Sequence, residues 1–202
     1  MIARRRVIEP RPWALLSHLL RYPDDGLAGA ADAVYELPSG AVRSALERFL
    51  EDLPDARTLR AAYVETFDLR RRVTLHLTYY EHGDTRRRGV ALLRLKRLYR
   101  AGGLEVAADE LPDHLAVMLA FGALAPDGYA EEVLGEHRPA IELLRLGLRD
   151  AGSPYAHVLD ALTAALPPLR ESDHDDVARL LADGPPDERV GVEPYVPAEV
   201  MP

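Results

Sequence analysis

The sequence predicts an all-α fold, a single-domain helical bundle, and three observations carry that reading. Apolar residues recur at steps of three and four along most of the chain, the run Leu115 to Ala125 contains no charged residue, and cap and turn residues punctuate segments of helical length. One domain is expected over residues 12–184, preceded by a flexible stretch at 1–11 and followed by a mobile, Pro-rich tail at 185–202.

Taken in order, Trp13 to Leu20 is short and interrupted by Ser17 and His18, which suits one face of a helix. Val42, Ala45, Leu46, Phe49, Leu50 and Leu53 form an apolar stripe behind Ser39, a candidate N-cap. Leu59, Ala62, Tyr63, Thr66 and Phe67 repeat the pattern behind Asp55.

Val73, Leu75, Leu77 and Tyr79 then alternate with Thr74, His76, Thr78 and Tyr80, a strand-like period of two. No other segment offers this one a pairing partner, and a lone strand is unstable, so helix or irregular backbone is expected. From Asp84 to Ala101 a helix is predicted that Asp84 caps and Gly102-Gly103 ends. Leu92, Leu95 and Tyr99 share one of its faces, and Arg86, Arg87, Arg94 and Arg97 the opposite one.

The uncharged run Leu115 to Ala125 cannot present a solvated face and is placed at the centre of the bundle. Pro112 sets its first turn, Asp113 complements its dipole and Pro126-Asp127-Gly128 ends it. Helices follow at 129–137, at 139–150 and after Ser153-Pro154, where Val158, Leu159, Leu162 and Leu166 give the stripe. A last helix, capped by Ser172 or Asp173, carries Val177, Leu180 and Leu181 and stops at Gly184-Pro185-Pro186.

Composition narrows the function. The 202 residues are 48% apolar and 29% charged, ordinary for a globular domain with a substantial core. There is no cysteine, so disulfides, thiolate metal sites and thiol nucleophiles are excluded, which agrees with an expected cytoplasmic location. The net charge of −8 argues against nucleic acid as the main partner and favours a basic peptide. No stretch approaches the ~18 apolar residues of a membrane span, so no direct membrane insertion is expected. Met1 to Arg6 does not continue into an apolar leader, because Glu9, Pro10, Arg11 and Pro12 intervene.

Catalytic and metal motifs are lacking. The seven histidines include no His-Glu-x-x-His, and the Glu-x-x-His at Glu171 to His174 reads as a solvated helix start rather than part of a four-helix metal site. No serine lies in a Gly-x-Ser-x-Gly elbow, and Gly102-Gly103 closes a helix where a nucleotide motif would open one. The chain is therefore not expected to be an enzyme, nor to hold a metal or a permanently bound cofactor.

Three groups of residues remain as binding candidates. Asp113 and His114 form either a polar anchor at the mouth of a groove or a stabilised helix start. Arg86, Arg87 and Arg88 form either an anion or cofactor contact or a solvated face. Tyr63, Phe67, Tyr79 and Tyr80 either line a groove for an amphipathic helix or pack in the core, and Tyr79 and Tyr80 cannot both point inward.

Three runs in fixed order carry a family likeness: Tyr63 to Asp68 (Tyr-Val-Glu-Thr-Phe-Asp), Leu75 to Gly89, and Glu110 to Leu115 (Glu-Leu-Pro-Asp-His-Leu). With Leu16 to Pro23, they make the chain resemble the NarJ-type nitrate reductase molybdenum cofactor assembly chaperones, part of the wider TorD-like group of redox-enzyme maturation proteins. The resemblance extends over roughly Trp13 to Leu166 and is strongest from Tyr63 to Leu124.

It implies an all-helical chaperone that binds the N-terminal peptide of the apo catalytic (alpha) subunit of a respiratory nitrate reductase. That subunit would be kept competent for molybdenum cofactor insertion before membrane assembly. The resemblance places Tyr63, Glu65, Leu75, Tyr79, Tyr80, Asp113 and His114 at or near the peptide groove. A monomer, or a weak homodimer, is expected. The rival readings are a chaperone for another molybdoenzyme and a nucleotide-dependent maturation factor working through Asp113, His114 and the arginines.

Overall fold

The structure, a computed structural model, describes residues 12–24, 27–69, 73–126 and 128–184. These residues form eleven helices: α1 Trp13–Leu19, α2 Leu27–Glu36, α3 Ala41–Glu51, α4 Ala56–Phe67, α5 Leu77–His82, α6 Arg86–Ala101, α7 Leu115–Leu124, α8 Tyr129–Glu136, α9 Arg138–Asp150, α10 Tyr155–Ala165 and α11 Glu171–Asp183. No β-strand is present among them, as an all-α fold requires. The stretches expected to be flexible at 1–11 and mobile at 185–202 lie outside the described residues, as does Asp127.

The packing follows from the apolar stripes. α10 lies against α3 and α9, α1 packs on α7, α7 on α8, and α11 covers α9. Trp13, Leu16 and Leu19 of α1, Ala45, Leu46 and Phe49 of α3, and Val158, Leu159 and Leu162 of α10 are buried together in one core. Fully burying each such Leu, Val or Phe side chain contributes about 1.5–3 kcal/mol. Ser17, on the inward face of α1, has its hydroxyl satisfied by donation to the Ala116 carbonyl at 2.7 Å.

α7 is enclosed through Gly122, where a Cβ would stand 2.6 Å from that of Ala130, so α8 is able to approach only a glycine here. Its last turn departs from the expected full enclosure. Phe121 and Gly122 are buried there, but Ala123 is exposed and Leu124 is 72% exposed.

The helix ends differ in detail from the sequence reading. Asp55 caps α4, accepting from the amides of Arg57 and Thr58 at 3.0 and 3.2 Å. Ser39 does not cap α3, whose N-cap position is Gly40. Asp84 does not cap α6, which begins after Thr85; its carboxylate accepts instead from Arg88 at 3.1 Å. Gly103 ends α6 at φ 77°, with Leu104 N–H donating to Tyr99 C=O and Gly103 N–H to Arg100 C=O, the paired bonds of a Schellman motif. α11 starts after Arg170, whose amide donates to Asp173 at 2.8 Å. α2 has no counterpart in the sequence reading; it runs unbroken through Gly29, and among its described side chains Ala30 and Val34 are buried.

The alternating segment is irregular over 73–76 and helical from Leu77, as expected, but it does find a partner that the sequence reading denied it, through one isolated bridge. Leu77 N–H donates to Asp113 C=O at 3.0 Å and Leu115 N–H to Leu75 C=O at 2.8 Å, an antiparallel bridge between His76 and His114. Val73, Leu75 and Leu77 face inward while Thr74 and His76 are half-exposed, so the period of two is real but stops when α5 begins. This bridge delivers the start of α7 to the site.

Candidate functional site

A cleft of about 530 Å³ opens where the end of α1, α4, the 75–77 bridge and the start of α7 meet. Arg21, Tyr22, Tyr63, His76, Asp109, Glu110, Leu111, His114 and Val117 line it. Tyr22 and Leu111 remain 54% and 43% exposed, so the cleft offers apolar surface to a ligand while two carboxylates sit on its rim. Arg21 and Glu110 pair across that rim at 2.7 Å and tie α1 to the loop that precedes α7.

The aromatic wall is rooted in the core. Tyr22 meets Tyr63 edge-on at 5.6 Å, and Tyr63 continues into Phe67 and Tyr155 at 4.8 and 5.6 Å. Such pairs contribute about 0.5–1.5 kcal/mol each beyond their burial. Tyr63 donates its hydroxyl to the Leu20 carbonyl at 3.1 Å, and burial pushes its pKa up to about 12. It stays a neutral donor, fixing the end of α1 against α4.

Beneath the cleft lies a polar clasp centred on Asp113. This carboxylate is fully buried and accepts from His76 Nδ1–H at 3.0 Å, from the Thr78 hydroxyl, and from Arg88 at 3.3 Å. Burial alone would raise its pKa. The hydrogen bonds from His76 and Thr78 and the attraction of His76 and Arg88 outweigh burial and hold it below the ordinary carboxylate range. His114 stands beside the clasp with its ring 5.1 Å from that of His76. Burial first, then repulsion from His76, lowers its pKa to about 4 despite Asp113, so His114 is neutral at pH 7.

The candidate residues therefore separate into layers. Tyr63 and His114 line the cleft, whereas Leu75, Tyr80 and Asp113 are buried behind it. The Tyr80 hydroxyl accepts from the Thr74 amide at 3.1 Å and holds the bridge segment. Of the adjacent tyrosines, Tyr79 is the accessible one, with the Arg88 guanidinium 5.8 Å from its ring centre. Glu65 is exposed on α4. The arginine triple splits, since Arg86 and Arg87 are exposed while Arg88 turns inward to Asp84, Thr78 and Asp113.

Asp113 is not at an exposed helix start, because the N-cap position of α7 is His114 and the preceding carboxylate is drawn under the bridge. Tyr22, Leu111, Val117 and His76 were absent from the sequence-derived site; Tyr22, His76 and Leu111 fall within the family-like runs, but nothing in their spacing marks them as accessible. No group of His, Asp and Glu among the described residues is arranged to hold a metal ion. Likewise, no helix among them is long and apolar enough to cross a membrane.

Comparison with known proteins matches residues 36–161 to the nitrate reductase delta subunit family. The chain is 34% identical over 162 residues to the probable nitrate reductase molybdenum cofactor assembly chaperone NarJ of Bacillus subtilis, covering 76% of this chain and 87% of that one. It is 34% identical over 177 residues to the nitrate reductase molybdenum cofactor assembly chaperone NarJ of Escherichia coli K12, covering 84% and 74%. It is also 38% identical over 152 residues to the nitrate reductase-like protein NarX of Mycobacterium tuberculosis, covering 74% of this chain but only 23% of that much longer relative.

Proposed function

The chain belongs to the nitrate reductase delta subunit family of NarJ-type assembly chaperones, and from that premise we propose that it binds the N-terminal peptide of the apo catalytic (alpha) subunit of a respiratory nitrate reductase. The peptide occupies the cleft between Tyr22, Tyr63, Leu111, His114 and Val117. One observation carries this reading: exposed apolar side chains line a cleft whose rim bears Asp109 and Glu110 against a single cation, the Glu110-bound Arg21, a surface suited to an amphipathic, basic helix.

Binding orders the peptide, at a cost of roughly 2–5 kcal/mol, so burial against Tyr22 and Leu111 must supply the affinity. Asp113 and Arg88 behind the cleft, with His76 at its wall, act as positioning residues that keep the bridge segment and the start of α7 in register. The chaperone itself performs no chemistry. The molybdenum cofactor is cargo for the client, which this chain keeps open until insertion is complete and membrane assembly follows.

The test is the metal content of the client. In cells lacking this chain, the catalytic subunit should accumulate without molybdenum, and re-expression should restore it. A client with full molybdenum content in those cells would overturn the proposal.

A further inference from the structure

α6 concentrates positive charge as no other helix here does. Its sixteen residues hold Arg86, Arg87, Arg88, Arg94, Lys96, Arg97 and Arg100 and no carboxylate, in a chain whose net charge is −8. Arg88 is committed to the clasp, Arg94 to Glu136 at 2.8 Å, and Arg100 lies 3.8 Å from Glu105. Arg87, Lys96 and Arg97 have no carboxylate partner among the described residues.

Apolar side chains interrupt the cationic face. At 100° per residue Arg86, Val90, Leu93, Arg94 and Arg97 share one side of the helix. Val90 and Leu93 are 69% and 57% exposed there, although Leu95 and Tyr99 of the same helix are buried. Beside Val90 the surface falls into a second cleft of about 630 Å³, floored by Leu95, Leu98 and Val133 and rimmed by Arg87 and Arg94. Two carboxylates share its rim, Glu81 and the Arg94-bound Glu136. This cleft has no lining residue in common with the one near Tyr63.

We propose that the outer face of α6 is a second docking surface, and that it takes an acidic, amphipathic protein segment whose carboxylates meet Arg87 and Arg97 while its apolar residues cover Val90 and Leu93. Charge complementarity selects the sign of the partner. Six of the seven cations are arginines, whose planar guanidinium can grip a carboxylate with two parallel bonds. An apolar centre ringed by arginines is also the composition of a protein interface.

The other anionic partners fit less well. A lipid surface needs a broad apolar face to insert, and on α6 only Val90 and Leu93 are large exposed apolar side chains. Single-stranded nucleic acid needs exposed aromatic platforms, whereas the one aromatic of α6, Tyr99, is buried.

The test uses the full chain and a labelled synthetic helical peptide with Glu at i, i+4 and i+7 around two leucines, read by fluorescence anisotropy. The wild-type protein should bind it, with affinity that falls as salt rises. The double variant R87E/R97E and the variant Leu93→Ser should each weaken binding at least tenfold, with an unchanged circular dichroism spectrum. Both variants should bind the client's N-terminal peptide as the wild type does, which separates this surface from the cleft. Equal peptide binding by R87E/R97E would overturn the proposal. So would tighter binding to anionic phospholipid vesicles or to a single-stranded oligonucleotide than to the acidic peptide.

Discussion

His76 Nδ1 lies 3.0 Å from the Asp113 carboxylate, on a segment that also exchanges backbone hydrogen bonds with residues 113–115. Side-chain and main-chain bonds thus close the same junction between two stretches 37 residues apart. Asp113→Ala removes the centre of the clasp and leaves Arg88 and His76 facing a vacant, desolvated position. A loss of about 3 kcal/mol is expected, read as a lower urea midpoint at unchanged m-value. The depressed pKa fixes the sign of the pH effect: the stability Asp113 contributes is present above its unfolded-state value near 4 and is lost as pH falls through its lower folded value. The Asp113→Asn variant should lack that acid limb.

His114 titrates in a different window. Its folded pKa of about 4 lies below the ordinary 6.5, so the unfolded chain takes up the proton first as pH falls. Stability should be level above pH 6.5 and decline between about 6.5 and 4, by up to roughly 3 kcal/mol. His114→Gln should reduce that slope to the part contributed by His137, whose pKa burial also lowers, while leaving the Asp113 limb in place. Urea unfolding at pH 7.5, 5.5 and 4.5 measures the His114 slope, and further points at pH 3.5 and 2.5 measure the Asp113 limb.

Gly122→Ala would put a Cβ 2.6 Å from the Ala130 Cβ and 3.7 Å from the Trp13 ring. α7 and α8 must then separate, at a cost of about 2 kcal/mol and a drop in Tm of roughly 4–8 °C. Gly135→Ala, on the open side of α8, meets nothing within 4 Å and should be close to neutral.

Glu142 is buried between Arg138 at 3.0 Å and Arg145 at 2.7 Å. Arg145 has a second carboxylate in Asp160, but Arg138 is itself buried, so Glu142→Ala strands its charge. The expected cost is about 3–5 kcal/mol. The double variant Glu142→Leu, Arg138→Met should recover most of it, because an apolar pair has no charge to desolvate; chemical denaturation of the three proteins decides this.

Much of the architecture was legible because it is local. The stripe at Val42 to Leu53, the Asp55 cap and the Gly102-Gly103 stop each lie within a few residues of what they control, and α3, α4 and α6 follow them closely. The bridge between His76 and His114 has no such local mark, since Asp113 belongs to a segment that reads as a helix start. Glu142 illustrates the same limit: its neighbours on α9 read as an amphipathic helix, and only the packing of α10 and α11 makes its position a buried one. For the site, residue type was visible and depth was not. Leu75, Tyr80 and Asp113 point into the protein, while Tyr22 and Leu111, chemically no different from core residues, remain at the surface.

The central claim is that the cleft near Tyr63 and His114 holds the client's N-terminal peptide. Calorimetric titration of that peptide into the wild type and into Tyr22→Ala and Leu111→Asp tests it most directly, with amide NMR shifts to map the contact. One saturable site is expected, weakened at least tenfold in each variant, with shifts concentrated at residues 21–22, 63 and 109–117. Undiminished affinity in both variants, with shifts confined to other faces of the bundle, would contradict it.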